Sequence, residues 1–171
     1  ARAFNRLYGL GLTIREEMEL AYLGERTTPS RCGRLDQGCA YGRRPVLMVF
    51  DGDGLEVEEI RIPRDVHLVI VDLGAAKNTR EILRALNACY PIARDEQARA
   101  VQEYLGPINT GIVARARAAM EAGDAEGLGR LMTEAQAAFD EHLAPACPGE
   151  LTAPVLHRVL GFGPIQPHIL G

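Results

Sequence analysis

The sequence predicts an α+β fold, on three observations. An apolar run at Pro45–Phe50 is followed, across Asp51-Gly52-Asp53-Gly54, by alternating apolar and charged residues at Leu55–Ile62. A second, nearly continuous apolar run covers Val66–Leu73. From Asp95 onward apolar residues fall at helical spacing, broken only near glycine and proline. Alternation reads as a half-buried strand, an unbroken apolar run as a strand covered on both faces, and the helical period as amphipathic helix. Strands and helices segregated along a chain make an α+β protein.

The elements follow in order. Ala1–Tyr8 is helical in period and stops at Gly9, placed as a C′ glycine. Thr13 is an N-cap, and Glu16 three residues on completes a capping box. That helix runs to about Leu23, with Ile14, Met18, Ala21 and Tyr22 at helical spacing. Thr27–Arg34 is loop and Leu35–Ala40 one short helix. Pro45–Phe50 and Leu55–Ile62 form a β-hairpin with one wet face, and Glu58-Glu59 interrupts the alternation as a bulge would. Pro63-Arg64-Asp65 is a linker and the expected lobe boundary. Val66–Leu73 is a buried strand, and Gly74–Thr79 a polar loop. Thr79–Asn87 is a helix stopped before Pro91. Further helices cover Asp95–Leu105, Ile108–Glu121, Ala125–Leu143 and Glu150–Leu160, the last with Pro154 in its first turn, where proline is tolerated.

Composition removes several classes of function. The 171 residues carry a net charge of −4, which argues against a nucleic-acid backbone as partner. No apolar run approaches a membrane span, and no signal peptide is visible. Cys32, Cys39, Cys89 and Cys147 form no Cys-x-x-Cys pair, so zinc is not expected; free thiols in a reducing cytoplasm are. His67, His142, His157 and His168 are scattered. Asp51-Gly52-Asp53-Gly54 resembles a calcium loop only superficially, since no Glu stands at its twelfth position, and it reads as a hairpin turn.

The chemistry-bearing stretch is Thr28-Pro29-Ser30-Arg31-Cys32-Gly33-Arg34-Leu35-Asp36-Gln37. A Pro-Ser turn, a lone glycine and an aspartate opening a short helix build little core but can present one carboxylate at a cleft. The segment resembles the Gly-x-x-Asp-Gln stretch of galactokinase and the Pro-Ser-Gly-x-Asp stretch of mevalonate kinase, both of the GHMP family of small-molecule kinases. The resemblance is strong over residues 13–91, moderate over 1–12 and 150–171, and weak across the helices between. Such kinases join a lobe like domain 2 of ribosomal protein S5 to a ferredoxin-like lobe and bind ATP between them. The resemblance therefore implies that residues 1–63 are the later part of the first lobe and 64–171 an incomplete second lobe. The family's Gly-Leu-Gly-Ser-Ser-Ala phosphate loop would precede Ala1, and its glycine-rich third motif would follow Gly171. The chain opens without Met, as if within a helix, so we expect an internal portion of a longer protein, inactive by itself.

Site roles follow from the same likeness. Asp36 is the candidate catalytic base, accepting or orienting the proton of an alcohol. Glu25, within Gly24-Glu25-Arg26, is the candidate Mg²⁺ ligand. Gly33 and Arg34 are candidate substrate contacts, with Arg31 an alternative to Arg34. Lys77, Asn78 and Thr79 form a second substrate-side group, at a helix start whose free N–H groups attract anions. Each has a plainer reading: Asp36 as a helix cap, Glu25 as a solvated helix end, Asn78 or Thr79 as the cap of the following helix, and Cys32 as a packed thiol. The expected function is ATP- and Mg²⁺-dependent phosphorylation of a small-molecule alcohol, a sugar first and a mevalonate-like acid second. A non-catalytic binding protein that keeps the fold is the rival. A helical interaction module made of residues 95–160 is a third reading, which leaves the Asp36 loop unexplained.

Overall fold

The computed structural model describes residues 1–28, 33–52, 54–74 and 76–161. It is an α+β protein, mostly helical with a small two-stranded antiparallel sheet. The chain divides into two compact units, Ala1–Arg61 and Ile62–Gly171.

The first unit begins with helix α1 (Arg2–Tyr8), which Gly9 ends in the left-handed conformation at φ 59°. An Ala there would strain the backbone, which is why glycine serves. Helix α2 (Ile14–Glu25) opens with the expected capping box: Thr13 accepts from the Glu16 N–H, and the Glu16 side chain accepts from the Thr13 N–H. The Thr13 backbone N–H first, and its hydroxyl second, donate to Glu16 Oε2 and draw the Glu16 carboxyl below its ordinary range. A 3₁₀ helix follows at Asp36–Tyr41. Strands β1 (Val46–Asp51) and β2 (Gly54–Glu59) then pair antiparallel. Met48 faces Val57 and Phe50 faces Leu55 on one side, while Leu47 meets Glu58 and Val49 meets Glu56 on the other. The expected bulge is absent. Val46 pairs with Glu59 and Leu47 with Glu58 one to one, so the doubled glutamate only marks where β2 ends. Met18, wholly buried, and Leu55 are core residues of this unit. Full burial of one such side chain stabilises by about 1.5–3 kcal/mol.

The second unit is helical: α3 (Thr79–Asn87), α4 (Glu96–Glu103), α5 (Asn109–Ala122), α6 (Ala125–Ala138), α7 (Pro148–Leu151) and α8 (Pro154–Gly161). Its core gathers Cys89, Val101, Leu143, Cys147 and Leu151, with Ile82, Leu86 and Phe139 packed against them. Tyr104 meets Phe139 edge to face at 5.9 Å between ring centres, and burial pushes its hydroxyl pKa up. Gly106 breaks the helix between α4 and α5 at φ −102°, ψ −107°, and Pro107 follows it. That is the break expected from the Gly-Pro pair.

Two expectations fail in this unit. Residues 150–160 are two helices, because Thr152 leaves α7 in extended conformation and Pro154 opens α8. Proline fits a first helical position because it has no N–H to place. The larger correction is Val66–Leu73. It forms no strand among the described residues, and Leu68, Val69, Ile70 and Val71 are 72, 59, 94 and 45% exposed. A strand needs a neighbour to pair its N–H and C=O groups. Among the described residues the ladder is only β1 with β2. The residues carry strand propensity without a partner.

Candidate functional site

The Asp36 segment is built as a tied turn. Gly38 N–H donates to the Leu35 carbonyl at 2.9 Å and Gly42 N–H to that of Cys39 at 3.0 Å. Gln37 closes the loop behind Asp36: with its amide nitrogen turned toward the chain it donates to the carbonyls of Gly33 at 2.8 Å and Arg34 at 3.2 Å. Gly38 packs against the hairpin, where an added Cβ would lie 2.4 Å from Met48 Cε. The motif's glutamine and second glycine thus have local structural duties. Gly33 lends its carbonyl to Gln37 but is not kept glycine by crowding, since a Cβ there would meet nothing within 4 Å.

Arg34 docks this turn onto α2. Its guanidinium lies 4.7 Å from the Tyr22 ring centre, and its Nε approaches Glu19 Oε2 at 3.4 Å. That is ion-pair contact without the alignment of a hydrogen bond. Arg26 stands 5.7 Å from the same ring centre. Arg34, expected to touch substrate, is therefore mostly covered, with 18% of its side chain exposed. Asp36 is exposed in the first turn of the 3₁₀ helix, and its side chain makes no hydrogen bond or ion pair with another described residue. Glu25, the last residue of α2, is half-buried and accepts from Thr28 Oγ1 at 3.2 Å. The 3₁₀ helix packs against α2, so the two expected carboxylates ride on neighbouring elements. Arg31 and Cys32, with Pro29 and Ser30, lie outside the described residues, as do Asp53 of the hairpin turn and residues 162–171.

The second expected group belongs to the other unit. Asn78 is the N-cap of α3 and accepts from Glu81 N–H at 3.3 Å. Its own N–H donates to Glu150 Oε2 at 2.6 Å. The anion-attracting helix end is thus met by the chain's own carboxylate. Lys77 and Thr79 are exposed beside it.

A groove of about 260 Å³ also lies within this unit, between the Val66–Leu73 segment and helices α6 and α8. Leu68, Val71, Leu128, Met132, Leu156 and Val159 line it, and His67 brings the sole ionisable side chain. That lining suits apolar matter and not a phosphate. No cluster of three metal-binding side chains occurs among the described residues. Cys89 and Cys147 are free and buried, and Cys39 is free and exposed.

The sequence reading missed a polar hub in the first unit. Glu17 is buried, at 6% exposure. Its Oε1 accepts from Asn5 Nδ2 at 2.7 Å and its Oε2 from Arg2 Nε at 2.8 Å. Asn5 also clasps Leu12, donating to its carbonyl at 2.9 Å and accepting from its N–H at 3.0 Å. Arg2 Nη2 donates to the carbonyl of Ala40. The Asn5 amide first, and Arg2 with it, holds the Glu17 carboxyl below its ordinary range against the opposing effect of burial. Two signals were in the sequence. Asn5 sits inside a helical pattern it does not favour, and Glu17 shares the helix face of Ile14, Met18 and Ala21.

No helix among the described residues is long and apolar enough to cross a membrane. Comparison of the chain with protein-family models, curated proteins and solved structures finds no match.

Proposed function

We propose that this chain is part of an ATP-dependent kinase of the GHMP type that phosphorylates an alcohol group of a small molecule, a sugar or sugar derivative first. On this reading the first unit belongs to the ribosomal protein S5 domain 2-like lobe and the second to the ferredoxin-like lobe. The observation that carries it is the Gly33-x-x-Asp36-Gln37 turn: tied by Gln37, docked by Arg34, and leaving one carboxylate in solvent beside the helix that bears Glu25.

The roles follow from chemistry. Asp36 takes the proton of the substrate hydroxyl as its oxygen bonds to the terminal phosphorus of ATP and ADP leaves. Glu25 is a fitting Mg²⁺ ligand, since Mg²⁺ needs only one or two carboxylates when phosphate oxygens and waters complete its shell. The ion would neutralise phosphate charge. Lys77, Asn78 and Thr79 would face the substrate, with Asn78 constrained by its capping duty. The α3 N-terminus is not a free phosphate cradle, because Asn78 and Glu150 already serve it. The nucleotide's own contacts are therefore assigned to no residue of this chain.

A mevalonate-type acid is the second substrate class, favoured by Gly24-Glu25-Arg26 and the Lys77 loop. A non-catalytic protein that keeps the fold is the rival reading. The test is a phosphorylation screen of the full-length protein with ATP and Mg²⁺ against sugars, sugar acids and mevalonate. Transfer to a sugar is expected. Binding of such compounds without transfer to any of them would refute the kinase reading in favour of the rival.

A further inference from the structure

We infer that Arg2 is a positioning residue for Asp36, acting through the 3₁₀ helix that carries it. The inference rests on the proposed role of Asp36 and deepens it. The Asp36 side chain has no bond that fixes it among the described residues, so its place depends on how the Asp36–Tyr41 helix is anchored. The leading end is held by Gln37 on Gly33 and Arg34, and by Arg34 on Tyr22. The trailing end is held by Arg2, whose Nη2 donates to the Ala40 carbonyl.

Arg2 can do this because its other nitrogen is fixed. Nε donates at 2.8 Å to Glu17 Oε2, and Glu17 is in turn held by Asn5 at 2.7 Å. The guanidinium is a planar fork with donors in fixed relation. One end is locked on a buried carboxylate, so the other points in a set direction. α1, α2 and the 3₁₀ helix are thereby tied through one half-exposed ion pair, and Asn5 joins the 9–12 turn to it. A general base misplaced by about 1 Å can lose 10²-fold in rate, so anchoring at both ends of so short a helix has a kinetic consequence.

Arg2→Ala would strand the Glu17 carboxylate and threaten the fold, so the decisive variant is Arg2→Lys. Its ammonium can pair with Glu17, but a single nitrogen cannot occupy both guanidinium positions. Backbone ¹⁵N order parameters of residues 36–42 are measured in this variant, with kcat, KM and thermal midpoint. The expected result is a drop at residues 36–42 from about 0.85 toward 0.6, with α2 and the hairpin unchanged. The midpoint should stay near wild type, and kcat should fall about tenfold at constant KM. Order parameters at 36–42 that stay unchanged, or that fall equally throughout the first unit, overturn the inference. The kinetic arm separates it from the function it rests on. If Arg2→Lys loosens the helix while Asp36→Asn leaves turnover intact, the anchoring stands and the base assignment falls. If Asp36→Asn removes turnover while Arg2→Lys changes neither order nor kcat, the base stands and the anchoring falls.

Discussion

Replacing Asp36 by Asn tests the chemistry apart from the fold. The side chain is exposed and makes no hydrogen bond or ion pair with another described residue, so among the described residues the substitution breaks none. What it can alter in stability is the attraction between a carboxylate and the first turn of a helix, about 0.3–1 kcal/mol at an exposed site. Its effect on transfer is of another size. Loss of a general base lowers the rate by roughly 10²–10⁴-fold, which at about 1.4 kcal/mol per decade is at least about 2.7 kcal/mol of barrier. The assay is ATP-dependent phosphorylation by the full-length protein, following kcat and KM, with urea unfolding of wild type and variant in parallel. The expected result is a kcat at least a hundredfold lower, KM little changed, and unfolding free energy within about 1 kcal/mol of wild type. An unchanged kcat removes Asp36 from the mechanism. A kcat lost together with several kcal/mol of stability refutes the reasoning differently, by showing that Asp36 holds the structure.

Three further outcomes follow from the packing. Gly127→Ala should destabilise the second unit by about 1 kcal/mol, against the gain alanine usually brings inside a helix, because its Cβ would lie 2.1 Å from Asp124 Oδ2 and dislodge the α6 N-cap; a rise in the unfolding midpoint would contradict this. Ile70→Lys should leave unfolding within about 0.5 kcal/mol, since the side chain is 94% exposed, and should reduce light scattering on concentration; a marked loss of stability would show that the segment is packed. Acid should weaken the first unit through Glu17. Its folded pKa is depressed, so its contribution is complete above the ordinary Glu value of 4.5 and is lost as pH falls through the folded value. Glu17→Gln should therefore flatten the stability profile below pH 4.5; an identical slope in the variant would count against it.

Local chemistry was legible in the sequence. Gly9, the Thr13–Glu16 capping box, the Asn78 cap and the break at Gly106-Pro107 were each announced by residues a few positions apart, because caps, turns and breaks are short-range events. The α+β class followed from the same periodicities. The site was legible only as a motif. Gln37 closing the turn and Gly38 making room for Met48 gave no separate sign, and neither did the withdrawal of Arg34 onto Tyr22.

What the sequence alone determined, then, is where several caps, turns and breaks fall, because hydrogen bonds between near neighbours decide them. The tertiary structure decided which elements find partners. The apolar run Val66–Leu73 has every local property of a buried strand and stands unpaired among the described residues. Glu17 is a charged residue on the apolar face of α2 and is buried there, because Arg2 and Asn5 arrive from another helix to neutralise and hydrogen-bond it. Burial and pairing depend on groups distant in sequence, and a periodic pattern records the preference of a segment without naming what will meet it.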